Sequence, residues 1–372
     1  MTSQPEAPPG GQAAGDAGVQ ALALRLFRAM LATQESFTAY LGVKLGLYQA
    51  LATGGPATAG QLAGRTGLAP RYVREWLEQQ AAAGLVGVDD PARAAELRVY
   101  RLPPGYERVL TPSADPMSLA WTAMLPIGGV AAALPDLLEA FRSGDGVPAD
   151  VFGTDWRHGH GGANRAIYTH QLTGRLRQHL PDVHARLSAS PGRIADVGCG
   201  AGWAAIALAR AYPATRVTAV DLDAESVAEA ERNAAQAGVG DRVSCLIADA
   251  AALTGARDYD LVCVFDAAHE LARPVEVLRA CRELLAPAGT VLVLESRVGD
   301  TSQAPAGDLE RFQYATSVLH CLPAGMVGEA AAGTGTVMRP ALVRAYARAA
   351  GFGAVRAYDF GDGFHQLYRL DG

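Results

Sequence analysis

Lysine is almost missing from this chain. Of its 32 basic residues only Lys44 is a lysine, a skew that, beside the many alanines and glycines, reflects genome composition rather than function. Charged residues make up 19%, below the usual share of about 25%. The net charge of −6 lacks the basic face that a protein coating nucleic acid needs. Cysteine is rare as well: there are five, with no C-x-x-C pair, and the odd count suggests reduced thiols and a cytoplasmic location. No run of about 18 uncharged apolar residues exists to span a membrane. Residues 1–19, rich in Pro, Gly, Ala and Gln, lack the basic and apolar parts of a secretion signal and read as a disordered tail. Neither a G-x-S-x-G elbow nor a Walker loop occurs. What remains is core material: 49% of 372 residues are hydrophobic, and 42 Gly and 21 Pro follow no repeat. That composition excludes disorder, collagen and coiled coil for most of the chain and leaves room for two domains.

The first domain, residues 20–110, reads as mainly helical. Ala21–Tyr48 has apolar residues at helical spacing. Helices at Thr58–Thr66 and Arg71–Ala83 follow, closed by Gly84, with two short apolar pieces behind them. Helix, turn, helix and hairpin is the winged-helix arrangement. A DNA-reading role is disfavoured because Arg71 and Arg74 are offset by Glu75 and Glu78. Dimerisation into a homodimer or walling of a substrate fits better. Residues 111–187 read as a helical linker and cofactor lid. From residue 188 to 372, strands recur at about 25-residue intervals with helices between them, the mark of a parallel sheet. Ala354–Tyr358 and Phe364–Arg369 add an antiparallel hairpin, and residues 297–339 form an insertion over the sheet edge.

The first of these strands runs into Asp196-Val197-Gly198-Cys199-Gly200-Ala201-Gly202 at the start of a helix. Such glycines let a ligand approach the backbone. Asp221, followed by Leu222, ends the second strand, placed to hold ribose hydroxyls, and Asp249-Ala250 ends the third, where adenine would lie. Gly200-x-Gly202-x-x-Ala205 also fits a loose dinucleotide pattern. Against that, Asp196 would repel a pyrophosphate but could pair with an ammonium group.

Strand four ends Phe265-Asp266-Ala267-Ala268-His269-Glu270. Ligands of such sheets lie beyond these strand ends, so His269 and Glu270 face the reacting group. His269 could be a general base for a hydroxyl. Alternatively His269, Glu270 and the distant His320, in the last turn of a helix in the insertion, supply two imidazoles and a carboxylate, a set suited to Fe(II) and acceptable to Zn(II) or Co(II). Such a metal would serve as Lewis acid to a chelating 2-oxo acid. His158 and His160 alternate as chelating histidines do, but the glycines around them indicate a floppy loop. Trp121 and Met124 suit core packing more than an acceptor pocket, and Arg297 is placed to meet an acceptor carboxylate.

The set Asp196, Gly198, Gly200, Gly202, Asp221 and Asp249, with the terminal hairpin, resembles the S-adenosylmethionine site of class I methyltransferases. The resemblance implies an α/β, Rossmann-like seven-stranded catalytic sheet behind a mainly helical winged-helix domain. It adds Leu222, Ala250, Phe265 and Asp266 to the cofactor contacts, and Tyr168 in the segment before the catalytic domain. The winged-helix domain with a His-acid pair after strand four looks like the small-molecule O-methyltransferases, which would make His269 the base. The pair followed by a histidine 51 residues later resembles the metal-dependent 2-oxo acid C-methyltransferases of peptide-antibiotic biosynthesis, of the phenylpyruvate type. That resemblance implies C3 methylation of a 2-oxo acid at a metal on His269, Glu270 and His320. Here Glu270 stands where that motif has Asp, which bears on reach and metal preference. A DNA-binding regulator that senses S-adenosylmethionine is the third reading, and it lacks the basic stripe it would need.

Overall fold

The computed structural model describes residues 10–372 and divides into two compact units after Thr111. The first opens with one long helix, α1 (Gly10–Lys44). Its start at Gly10 takes residues 10–19 out of the expected tail, while residues 1–9 lie outside the described part. The run expected as one helix to Tyr48 breaks at Gly46, whose φ of 68° is left-handed, before α2 (Leu47–Gly54). Thr58 then caps α3 (Ala59–Thr66): its side chain accepts from the Gln61 amide, and the Gln61 side chain answers the Thr58 amide. Pro70 begins α4 (Pro70–Ala82), which ends at left-handed Gly84. Strands β1 (Gly87–Val88) and β2 (Tyr100–Arg101) pair as the wing.

Apolar residues of α2, α3 and α4 close on one another around Leu47, Leu62 and Leu77. The Trp76 indole donates to the Thr38 carbonyl at 2.9 Å and the Tyr48 hydroxyl bonds Gln80, tying α1 and α2 to α4. On the helix that would read DNA, Arg71 pairs with Glu75 and Arg74 with Glu96, while Glu78 pairs with Arg98 beside the wing. The basic residues there are thus neutralised.

The second unit is built on a seven-stranded sheet of order β5-β4-β3-β6-β7-β9-β8. Its members are β3 (Arg193–Val197), β4 (Arg216–Asp221), β5 (Val243–Ile247), β6 (Tyr259–Phe265), β7 (Leu285–Ser296), β8 (Ala354–Asp359) and β9 (His365–Asp371). The first five are mutually parallel, and β9 runs antiparallel between β7 and β8. Alternation along β6 explains the layers. Leu261, Cys263 and Phe265 face one core with Leu208 and Leu292, whereas Val262 and Val264 face the other with Val277 and Val291. Burial on both faces gives the near-continuous apolar run that such strands show in sequence.

Helices α6 (Trp203–Ala211), α7 (Ala224–Gln236) and α8 (Pro274–Leu284) make crossovers, and α5 (Gly153–Ile167) precedes the sheet. In the insertion, α9 (Asp308–Thr316) passes into a wide π-turn at Ser317–Cys321, and α10 (Pro340–Ala349) follows. Residues 112–187 are mostly helical and belong to the same compact unit as the sheet.

Candidate active site

Register sets the acids level. Val197 pairs with Val220 on one side and Val264 on the other, so the carboxyl ends of β3, β4 and β6 open together. A cavity of about 810 Å³ lies there. Tyr168, Asp196, Gly198, Gly200, Asp221, Leu222, Asp249, Ala250, Phe265, Glu270 and His320 line it, whereas Gly202, Asp266 and His269 do not.

Gly198, Gly200 and Gly202 have φ of 71°, 49° and 77°. A Cβ at Gly202 would stand 2.8 Å from Ala230, so this glycine serves helix packing, while at Gly200 it would meet nothing within 4 Å. Asp196 is 1% exposed, and its carboxylate accepts the Ala205 amide at 3.0 Å. Burial pushes its pKa up to about 7. The Asp221 carboxylate accepts the Gly200 amide at 2.8 Å and the Asp223 amide at 3.0 Å, and burial raises its pKa too. Asp249 accepts the Ala251 amide at 2.9 Å and bonds Arg273, a partner the sequence did not flag.

The His158–Gly162 segment is not a floppy loop. It is the middle of α5, whose Trp156, His160 and Asn164 line the cavity. Its glycines permit close approach: a Cβ on Gly161 would be 2.9 Å from that of Ala201, and one on Gly162 would be 2.2 Å from the Trp121 ring. Helix packing, not local propensity, therefore decides this segment. Arg157 binds Asp223 at 2.7 Å and Glu225 at 2.5 Å. His158 lies 3.6 Å from Glu229 and His160 donates to Asp266 at 3.1 Å, so the two histidines do not share a ligand. Asp266, expected at the cofactor, turns its carboxylate to α5, where Asn164 also donates at 3.2 Å.

His269 is 3% exposed. Its Nδ1 donates to Glu295 at 2.6 Å, and its Nε2 is 3.6 Å from Glu270. Burial opposes its protonation, but the Glu295 carboxylate outweighs that and holds the pKa well above the ordinary range. Glu295 is fully buried in β7 and also accepts the His269 amide at 3.3 Å. Sequence reasoning missed it, although a lone acid in Val-Leu-Val-Leu-Glu was a signal. His320 Nδ1 is 3.1 Å from Glu270, its Nε2 is buried without a partner, and Trp156 stacks on the ring at 3.7 Å. His269, Glu270 and His320 thus come together through Glu270. Among the described residues, the donors lying mutually within 4.8 Å are on His269, Glu270 and Cys321, so Cys321 belongs to the same cluster.

Arg297 faces elsewhere: it pairs with Asp359 at 3.0 Å and does not line the cavity. Trp121 and Met124 do not line it either, and Met124 is buried. No described helix is long and apolar enough to cross a membrane.

Residues 194–289 match the family profile described as Methyltransferase domain, and residues 34–112 match the Rv2258c-like winged HTH domain. The chain is 34% identical to trans-aconitate 2-methyltransferase of Streptomyces avermitilis over 28% of its own length and 39% of that protein's. It is 34% identical to ubiquinone biosynthesis O-methyltransferase of a Caulobacter species (strain K31) over 27% and 39% of the two lengths. It therefore spans about two fifths of the length of these curated relatives. Among solved structures it resembles mitomycin 7-O-methyltransferase, with TM-score 0.70, 19% identity, and coverage of 95% and 99% of the two chains. It also resembles human N-acetylserotonin methyltransferase in complex with SAM, with TM-score 0.70, 18% identity, and coverage of 94% and 98%. The fold is that of the class I methyltransferases. In particular, it is a methyltransferase sheet preceded in the chain by a winged helix-turn-helix domain.

Proposed function

We propose that the chain transfers a methyl group from S-adenosylmethionine to a small molecule. The finer reading is methylation at C3 of a 2-oxo acid, aided by a divalent metal (Fe, Zn or Co) on His269, Glu270 and His320, in natural-product biosynthesis. Support for the cofactor comes from the strand-end acids and the unobstructed Gly200 backbone at one cavity. Asp221 would receive ribose hydroxyls, Asp249 and Ala250 the adenine, and Asp196 the ammonium end. When bound, the cofactor supplies an electrophilic methyl on a positively charged sulfur.

The observation that carries the finer reading is the pairing of His269 with Glu295. It directs Nδ1–H backwards to the carboxylate and turns Nε2 towards Glu270, as in carboxylate–histidine–metal arrangements, in which Nε2 would shed its proton to hold a cation. The donors of His269 and Glu270 converge, with Cys321 rather than His320 as the third member of the close group, and His320 would join them by its orphaned, buried Nε2. When bound, the metal supplies Lewis acidity, which loosens the C3–H of a chelated 2-oxo acid.

The second reading, metal-free O-methylation with His269 as base, draws support from the fold shared with O-methyltransferases. Against it, the His269 ring has a carboxylate near each nitrogen, which favours a cation there over a free base. A panel of 2-oxo acids and phenols with labelled S-adenosylmethionine, run with and without chelator, separates the two. The finer reading expects labelled 2-oxo acid, stoichiometric metal, and loss of transfer with chelator or with His320→Ala. Labelled phenol that survives both treatments overturns it.

A homodimer through the first unit is part of the proposal. Leu22, Phe27, Met30, Phe37 and Leu41 of α1 are exposed, and a long helix that presents so many apolar residues needs a cover. Sedimentation of the full chain tests it, with a monomer as the contrary result.

A further inference from the structure

Resting on the methyl-transfer reading, we infer that His160, oriented by Asp266, is the catalytic base that takes the acceptor's proton. Two histidines line the cavity among the described residues, His160 and His320. His320 is packed between Trp156 and Phe152 with Nδ1 against Glu270, and His269 has both nitrogens near carboxylates and does not line the cavity. His269 thus has no nitrogen open to the acceptor, and the one unpartnered nitrogen of His320, Nε2, is buried out of the reach of solvent. Tyr168 also lines the cavity, but burial raises its hydroxyl pKa, which leaves a phenol that gives up no proton near neutrality. Asp223 and Asp249 are held by Arg157 and Arg273.

His160 differs from all of these. Its ring hydrogen bonds are at Nε2, where it donates to Asp266 and lies 3.5 Å from the Asn164 amide. Donation to the carboxylate fixes the tautomer with the lone pair on Nδ1. The side chain is 39% exposed, and it stacks near-parallel to Trp156, which stacks in turn on His320. The base thus stands one indole away from His320, in the wall of the same cavity. Asp266 pays for this service in backbone strain: its φ of 53° is left-handed in a non-glycine residue, and it aims the carboxylate at α5 rather than at the cofactor.

The step balances. The C3–H proton of the 2-oxo acid moves to Nδ1 of His160, and the electron pair of that bond becomes the new C–CH3 bond. The methyl's C–S bond breaks with its pair retained on sulfur, and the Nδ1 proton then leaves to solvent. An acceptor with a hydroxyl would give up its O–H proton to the same nitrogen.

The test uses the full chain with phenylpyruvate as probe in D2O, following C3–H exchange by NMR above the buffer rate. Bound metal and S-adenosylmethionine affinity are measured alongside. Expected is that His160→Ala loses exchange and methylation by on the order of 100-fold or more, with metal and cofactor binding retained, and that added imidazole restores part of both. Asp266→Asn, which keeps the shape, loses less and gains nothing from imidazole. Exchange in His160→Ala at the native rate overturns the assignment. So does a loss that imidazole does not relieve, since it marks a structural role. If the native protein neither exchanges nor methylates phenylpyruvate, and methylates a catechol instead, the 2-oxo acid reading fails. The proposal then stands or falls on the same imidazole rescue of catechol methylation.

Discussion

Glu295 and His269 are bound edge to edge by a 2.6 Å hydrogen bond in the floor of the catalytic unit, Glu295 wholly out of water and His269 nearly so. Such a carboxylate sets both the direction and the basicity of a ligating imidazole. Glu295→Gln keeps the size and removes the charge. Metal affinity should fall about 10- to 100-fold, measured by competition with a chromophoric chelator, while cofactor affinity stays as it was. Unchanged metal affinity would show that the Glu295 charge tunes no metal held by His269.

Two glycine substitutions should act in opposite directions. Gly162→Ala forces a methyl against a Trp121 ring anchored by its indole N–H on the Ser113 carbonyl at 2.9 Å, so the ring cannot give way. A loss of about 1–3 kcal/mol is expected from overpacking. Gly64→Ala, exposed in α3 with nothing within 4 Å, should stabilise its unit by about 0.5–1 kcal/mol. Thermal unfolding of the two variants reads both.

Asp221→Asn keeps an oxygen for the Gly200 amide but removes the charge facing the cavity. Weakened charge-assisted bonds of about 1.5–3 kcal/mol correspond to roughly 10- to 100-fold weaker S-adenosylmethionine binding. Calorimetric titration measures it, and metal content should not change.

Stability should depend on pH through the terminal hairpin. Asp362 and His365 are bound at 2.6 Å. Burial works against the Asp362 charge, but the His365 bond outweighs it and takes the carboxylate from 3.8 down to about 2. Burial likewise opposes the charge on His365, and the Asp362 bond raises its pKa above 6.5. The carboxylate's contribution is therefore present above about 3.9 and lost as pH falls towards 2. The histidine's contribution is present below about 6.5 and lost as pH rises through its higher folded value. Tm should be highest between those limits, and Asp362→Asn should flatten both slopes.

The sheet was legible in the sequence because its strands are buried on both faces and their ends carry Gly and Asp, both local signals. The ends of the first four strands and the terminal hairpin lie where apolar runs and punctuation placed them, within a few residues. The reading failed where structure depends on distant partners. Residues 158–162 look like a loop by propensity, and only the Trp121 and Ala201 surfaces make them helical. Glu295 is invisible as a partner because its histidine lies 26 positions away. Arg297, placed by sequence for an acceptor, is drawn off by Asp359 on the edge strand β8, 62 positions away. His320 was foreseen as a candidate, but not the aromatic ring that holds it.

Asp196 and Asp221 answer backbone amides at the cavity wall, and burial leaves both reluctant to ionise. A ligand that arrives cationic relieves that reluctance. In the proposed reaction the sulfonium charge vanishes as the methyl leaves, while the ammonium stays. Asp196 and Asp221, set against the ammonium and the ribose, would meet the same groups before and after the transfer. The strand-end acids would therefore grip fresh and spent cofactor alike, and telling the two apart would fall to the part of the cavity around the sulfur.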